Sequence, residues 1–249
     1  MEQISIDKKG RLKTQAVQID VKTAVSNNRF LKEFLFNENL ETYDDFLEAF
    51  LFQASMMVDK YEITDEIKFI LVNFYNQISG REFYKIDPGT NQPVMAEERD
   101  RQKGIYVAGA TGTGKTTFCK ILFDMVSNCV LKYIVDDRVY HYNTHCVSEY
   151  SINREYMKTG TFDYMKRSCL LIDDIGQAKE IQYMGNKLDP MREIITERYD
   201  HQKHTFTSFT SNYPINHKVI KDQYGERVFD RIQAMANYYI INSKNFRNG

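Results

Sequence analysis

At 249 residues the chain can hold one full α/β domain and a smaller appendage, since a domain usually takes roughly 100–200 residues. Hydrophobic residues at 42% and charged residues at 27% argue against a disordered tail, and no stretch approaches the ~18 uncharged residues of a membrane helix. Lys plus Arg (33) nearly cancel Asp plus Glu (34), so nucleic acid, if bound, must be held by a local patch. The opening MEQISIDKKGRLK carries charge where a secretory signal needs an apolar run, and a cytoplasmic location with no membrane partner is expected. Cys119, Cys129, Cys146 and Cys169 are widely spaced with no CxxC pair, the pattern of reduced, buried thiols.

Two apolar-periodic segments come first, over residues 43–61 and 65–78. They place Phe46, Phe50, Ala54 and Met57 on one face, and Ile67, Leu71, Phe74 and Tyr75 on the other helix's face. Gly80 ends the second helix, and residues 86–101, with DPGTNQP and EERDR, have the turn residues and polarity of a linker. The expected division is therefore a helical, partner-binding N-terminal domain with linker over residues 1–100, and a second domain over 101–249.

From Gly104 short apolar runs alternate with helical patterns. In order these are IYVAG, a helix to about residue 126, KYIV, a helix near 148–157, CLLIDD, a helix near 189–202, TFTSFTSN and YYIIN. Repeated βα units of this kind predict an α/β fold with a mostly parallel five-stranded sheet flanked by helices.

Gly109, Ala110, Thr111, Gly112, Thr113, Gly114, Lys115 and Thr116 spell GxxxxGK[ST], followed by Thr117, between an apolar strand and a helix. That context makes the string a phosphate-binding P-loop. Glycines let backbone N–H groups converge on phosphate oxygens, and the helix N-terminus adds its positive dipole end. Lys115 is placed to reach the β/γ-phosphates of ATP, and the Thr116 hydroxyl to ligate Mg²⁺.

The run CLLIDD ends in two carboxylates at what should be the C-terminal edge of a parallel sheet. Asp173 is expected to hold Mg²⁺ and Asp174 to orient or deprotonate the attacking water. Thr210-Ser211-Asn212 closes a further strand-like run; an amide there can bond both the γ-phosphate and the lytic water, which makes Asn212 the sensor candidate.

Taken in order, GATGTGKTT, CLLIDDIG, IITERYDHQ, TFTSFTSN and YGERVFDRI resemble the ATPase domain of the DnaC/DnaI helicase loaders and the transposition helper IstB. The resemblance covers about residues 100–249 and implies an AAA+ P-loop NTPase that binds and slowly hydrolyses ATP in DNA replication. It implies homo-oligomers built through nucleotide interfaces, with Arg231 as an arginine finger offered to a neighbour and Arg227, one turn earlier, as a second candidate. The implied partners are a replicative helicase or a transposase, and single-stranded DNA. Basic clusters at Lys166-Arg167, at Lys179 and Lys187, and around Arg198, Lys203 and His204 are the candidates for DNA contact. The stretch after residue 242 is too short for a C-terminal helical lid, and Arg247 is the one arginine there that could face the nucleotide.

Asp174 departs from the Glu that many AAA+ ATPases carry at this place, which implies slow turnover. Two alternatives follow within the same fold, an IstB-like transposition helper and a non-hydrolysing, ATP-dependent DNA-binding scaffold. A small-molecule kinase would need an arginine-bearing lid over the phosphates, and no segment reads as one.

Overall fold

The computed structural model describes residues 40–129, 132–161, 167–177, 189–202 and 205–242 in full. It gives the backbone alone of the short strands Ser5–Ile6, Leu12–Lys13, Glu33–Leu35, Ile181–Tyr183 and Asn186–Leu188. Helix α1 (Tyr43–Met57) starts from a reciprocal capping box between Thr42 and Asp45, and α2 (Asp65–Ile78) from the Thr64 side chain, each satisfying amides that a helix start leaves without partners.

Five strands, β1 (Gly104–Ala108), β2 (Thr144–Ser148), β3 (Cys169–Ile175), β4 (Phe206–Ser211) and β5 (Ala236–Ile240), form one sheet in the order β5-β1-β4-β3-β2. Every pairing in it is parallel. The order places β4 between the strand that feeds the glycine-rich loop and the strand that ends in two aspartates. Successive residues point to opposite faces. Ile105 and Val107 of β1 therefore join the core under α1, α2 and α3 (Lys115–Asn128), while Tyr106 and Ala108 join the core under α5 (Pro190–Asp200), α6 (Lys218–Tyr224) and α7 (Glu226–Met235). Helix α4 (Glu149–Thr159) contributes Ile152 to the second core.

The five strands arrive as expected in number and direction, but one is not where its apolar run suggests. Lys132–Val135, the KYIV segment, lies outside the parallel sheet, pairing antiparallel with Glu33–Leu35 and with Arg138–His141. Asp136 and Asp137 between the paired strands both take positive φ, 49° and 61°, which is the two-residue hairpin geometry that turns the chain straight back. The strand that enters the sheet is β2, with the sequence THCVS, the start of which is half-buried at the sheet's edge. An edge strand needs no continuous apolar run, so its sequence carries little signal.

The stretch expected to be a linker is also ordered. Tyr84–Ile86 and Pro93–Met95 pair as a hairpin, and the 3-10 helix Glu98–Gln102 follows. The fully buried Asp100 carboxylate accepts from Lys85 at 2.5 Å and the Glu97 amide at 2.9 Å, and pairs with Lys103 at 2.7 Å. Helices α1 and α2 pack directly on the P-loop helix, with Phe50 beside Phe118 at 5.9 Å and Phe74 edge-on to Phe123 at 6.1 Å. Gln77 donates to the Lys103 carbonyl at 2.7 Å, and Asn237 donates to Gln77 at 3.2 Å. The expected boundary near residue 100 does not coincide with a break in the hydrophobic core.

All four cysteines are free, three of them buried and Cys146 partly so; burial pushes the Cys129 and Cys146 thiols up to about 11. Among the described residues no helix is long and apolar enough to cross a membrane.

Candidate functional site

Between the end of β1 and the start of α3, residues 109–114 make a turn that specific glycines permit. A Cβ on Gly109 would stand 1.9 Å from the Ile241 carbonyl oxygen, so the close approach of the chain after β5 requires glycine there. Gly114 caps α3 in the left-handed region, φ 82°, without a side-chain bond, a conformation that costs glycine little. The Thr113 hydroxyl donates to the Ala110 carbonyl at 3.0 Å, and the Ala110 amide donates to the Asn242 side chain at 3.3 Å. The loop encloses a cleft of about 350 Å³ lined by Thr111, Gly112, Gly114, Lys115, Thr116 and Thr117. Asp174, Gln177 and Asn212 line it from the other strands, and the positive end of the α3 dipole opens onto it.

Five residues from three separate stretches of the sequence meet at or beside this cleft. Lys115, only 5% exposed, donates to the Ala110 carbonyl at 2.9 Å and to Asn212 Oδ1 at 3.0 Å. The Thr116 hydroxyl donates to Asp173 Oδ1 at 2.7 Å. Asp174, half-buried, lines the cleft with φ 58°, a left-handed conformation that Asp tolerates better than most residues. Sheet order explains the convergence, because β4 brings Asn212 beside the loop while β3, one strand further on, brings Asp173 to its helix.

Hard oxygen ligands on a hydroxyl and a carboxylate fit Mg²⁺, which is held by one or two protein side chains together with phosphates and water. Among the described residues no group of three or more His, Cys, Asp or Glu could hold a metal ion. A cation between Thr116 and Asp173 would therefore take its remaining ligands from phosphate oxygens and water.

Two features of the cleft were not singled out in the sequence. Gln177 reaches it from the turn after β3, where Glu149 Oε2 accepts from the Gly176 and Gln177 amides at 3.1 and 3.2 Å. A second, smaller cleft of about 170 Å³ shares Thr113, Gly114 and Thr117 with the P-loop and is closed by Val58, Lys60, Tyr61, Glu62 and Ile67. The Tyr61 hydroxyl is buried beside it with no hydrogen-bond partner among the described residues, and burial, with Cys119 nearby, pushes its phenol up. Nothing in residues 58–62 marks them as site residues, since they lie some fifty positions before the loop and meet it only through helix packing.

The predicted arginines separate. Arg227 is exposed on α7, whereas Arg231 is 8% exposed, with its guanidinium 5.1 Å from the Tyr199 ring centroid and 3.6 Å from Asp200. Within the chain Arg231 thus packs against Tyr199, whereas Arg227 one turn earlier faces outward. Arg198, expected in a basic surface cluster, is fully buried and donates to Thr207 Oγ1, the Arg167 carbonyl and the Phe206 carbonyl; it ties α5 to β4, and burial lowers its guanidinium to about 10. Lys166, Lys179, Lys203, His204 and Arg247 lie outside the described residues, as does the Lys187 side chain.

No protein-family model matches the chain, and no curated protein does. Among solved structures it is similar to DnaI, at 18% identity over 76% of this chain and 89% of that one, TM-score 0.48. It is similar to the DnaC helicase loader at 17% identity over 74% and 94%, TM-score 0.45. AMPPCP-bound DnaA from Aquifex aeolicus matches at 18% identity over 57% and 41%, TM-score 0.41. The strand order with its glycine turn decides the fold independently of these likenesses. The fold is that of an α/β P-loop NTPase.

Proposed function

We propose that the chain binds Mg-ATP in the larger cleft and hydrolyses it slowly, as a DnaC-like AAA+ protein acting in DNA replication as a helicase loader. The observation that carries this reading is the 2.7 Å contact between Thr116 and Asp173, because it brings together a hydroxyl from the start of α3 and a carboxylate from β3 on the metal side of a P-loop. Backbone amides of residues 110–116 and the Lys115 ammonium would cradle the phosphates. Asp173 and Thr116 would hold Mg²⁺, which when bound neutralises phosphate charge. Asp174 and Asn212 would face the γ-phosphate and its water. The smaller cleft would take the nucleobase, with Tyr61 offering its unsatisfied hydroxyl to a ring nitrogen or amine and Ile67 an apolar wall.

The loader role rests on the resemblance of the motif series, and in it exposed Arg227 replaces Arg231 as the arginine offered to a neighbouring subunit. A single-stranded DNA contact and a helicase or transposase partner complete the reading. Asp174 in place of Glu favours a second reading, an ATP-dependent scaffold that binds without turnover.

Titration of a fluorescent ATP analogue with and without Mg²⁺, alongside phosphate release measured against protein concentration, tests the core claim. Saturable, Mg²⁺-strengthened binding with turnover that rises as subunits assemble supports it. Binding without turnover at any concentration selects the scaffold, and no binding at all overturns both. Co-elution with the replicative helicase of the same cell, lost in a Lys115→Ala variant, supports loading; co-elution with a transposase instead selects the IstB-like alternative.

A further inference from the structure

We propose that Thr210 is a positioning residue for the metal side of the cleft, its single hydroxyl setting where both Asp173 and Asp174 stand. This rests on the Mg-ATP reading above. Thr210 lies on the central strand β4 and is fully buried. The β3–β4 ladder pairs Ile172 with Phe209 and next pairs Ile175 with Ser211, so three steps on β3 run against two on β4. One residue of β3 is in excess opposite Thr210, which is the signature of a bulge.

Inside that bulge the Thr210 hydroxyl does what the backbone ladder does elsewhere. It donates to Asp173 Oδ1 at 2.5 Å and accepts the Asp174 amide at 3.0 Å. A hydroxyl can do both at once, having one O–H to give and lone pairs to take. The Asp174 backbone is left-handed at φ 58°, so the bulge turns its side chain to the cleft while Asp173 stays paired with Ser148 of β2.

Asp173 Oδ1 thus has two hydroxyl donors, Thr116 and Thr210. When a cation draws the Thr116 oxygen to itself, Thr210 is the donor that remains to hold the carboxylate. Valine has nearly the same shape but neither donor nor acceptor, whereas serine keeps both.

The test compares wild type, Thr210→Val and Thr210→Ser by Mg²⁺ titration of fluorescent-ATP binding, by the same binding in EDTA, and by thermal unfolding. The expected result is a Mg²⁺ half-saturation raised roughly tenfold in Thr210→Val, the loss of one hydrogen bond to a charged group. Binding in EDTA should stay within about twofold, and Thr210→Ser should restore the Mg²⁺ response. A Thr210→Val protein that melts lower but keeps the wild-type Mg²⁺ response overturns the inference and leaves the ATP reading standing. Wild type with no Mg²⁺-dependent binding overturns that reading, and the inference with it. If the valine variant does not fold, Thr210→Cys, with a weak donor at similar volume, must show a raised Mg²⁺ requirement for the inference to survive.

Discussion

The Lys115 ammonium and the Asn212 amide oxygen are hydrogen-bonded at 3.0 Å across 97 positions of sequence. The same ammonium also holds the Ala110 carbonyl, so a buried cation is kept solvated by the very groups that frame the phosphate cleft. Removing the lysine removes the one side-chain cation among the described residues lining that cleft.

Lys115→Ala should therefore weaken ATP binding by roughly 100-fold, the upper range for a hydrogen bond to a charged partner. The fold should persist, because the aliphatic stem is a small part of the core. Fluorescent-nucleotide titration with far-UV circular dichroism checks both halves; unchanged affinity would remove Lys115 from the site.

Asp174→Asn should leave nucleotide affinity within about threefold while lowering turnover by about 10²–10⁴, the span of general acid–base contributions. Asparagine tolerates the left-handed backbone as aspartate does, so the change isolates the charge. Steady-state phosphate release against binding on the same preparation measures the split, and a variant with wild-type turnover would leave Asp174 without a role in water activation.

Exposed Arg227 and buried Arg231 should respond differently to truncation. Arg227→Ala should change stability by less than about 0.5 kcal/mol, as surface substitutions do, and flatten the rise of turnover with protein concentration. Arg231→Ala should cost about 1–2 kcal/mol through loss of its stack on Tyr199 and its stem packing. Denaturant melts and concentration-dependent turnover separate the two, and a rise that survives Arg227→Ala would remove it as the arginine acting across subunits.

Acid should loosen the packing of the Tyr84–Met95 hairpin against the sheet. Burial works to raise the Asp100 carboxyl, but hydrogen bonds from Lys103, Lys85 and the Glu97 amide together hold it below its ordinary value. A carboxylate depressed in the folded state contributes stability that is present above its unfolded pKa of about 3.9 and is lost as pH falls through the lower folded value. Asp100→Asn should cost about 3 kcal/mol at neutral pH by leaving the lysines unpaired, and it should remove this part of the acid dependence. Urea melts from pH 7 down to pH 3 provide the check.

Much of the cleft was legible because its chemistry demands fixed residue types at fixed spacing. Only glycine allows the approach of Ile241 to residue 109, only an ammonium and a hydroxyl side by side serve phosphate and cation, and an apolar strand ending in carboxylates advertises a sheet edge. Thr210 was visible only as part of a polar strand end, since its importance comes from a one-residue mismatch between two strands. Tyr61 and Gln177 had no local signal at all. KYIV misled because three consecutive apolar residues look the same in a hairpin as in a buried parallel strand, while the half-polar β2 gave no periodicity to read.

The sequence by itself determined that a phosphate loop exists, which strand precedes it and which aspartates accompany it, because backbone conformation and ligand chemistry restrict those positions one residue at a time. Tertiary structure alone decided that α1 and α2 share the core of the sheet, that Arg231 and Arg198 are buried, and that Thr210 joins the Asp173 carboxylate to the Asp174 amide. Each of these is a matter of which surfaces meet, and a long arginine or a short threonine reads identically in the chain whether it faces water, a neighbour or its own interior.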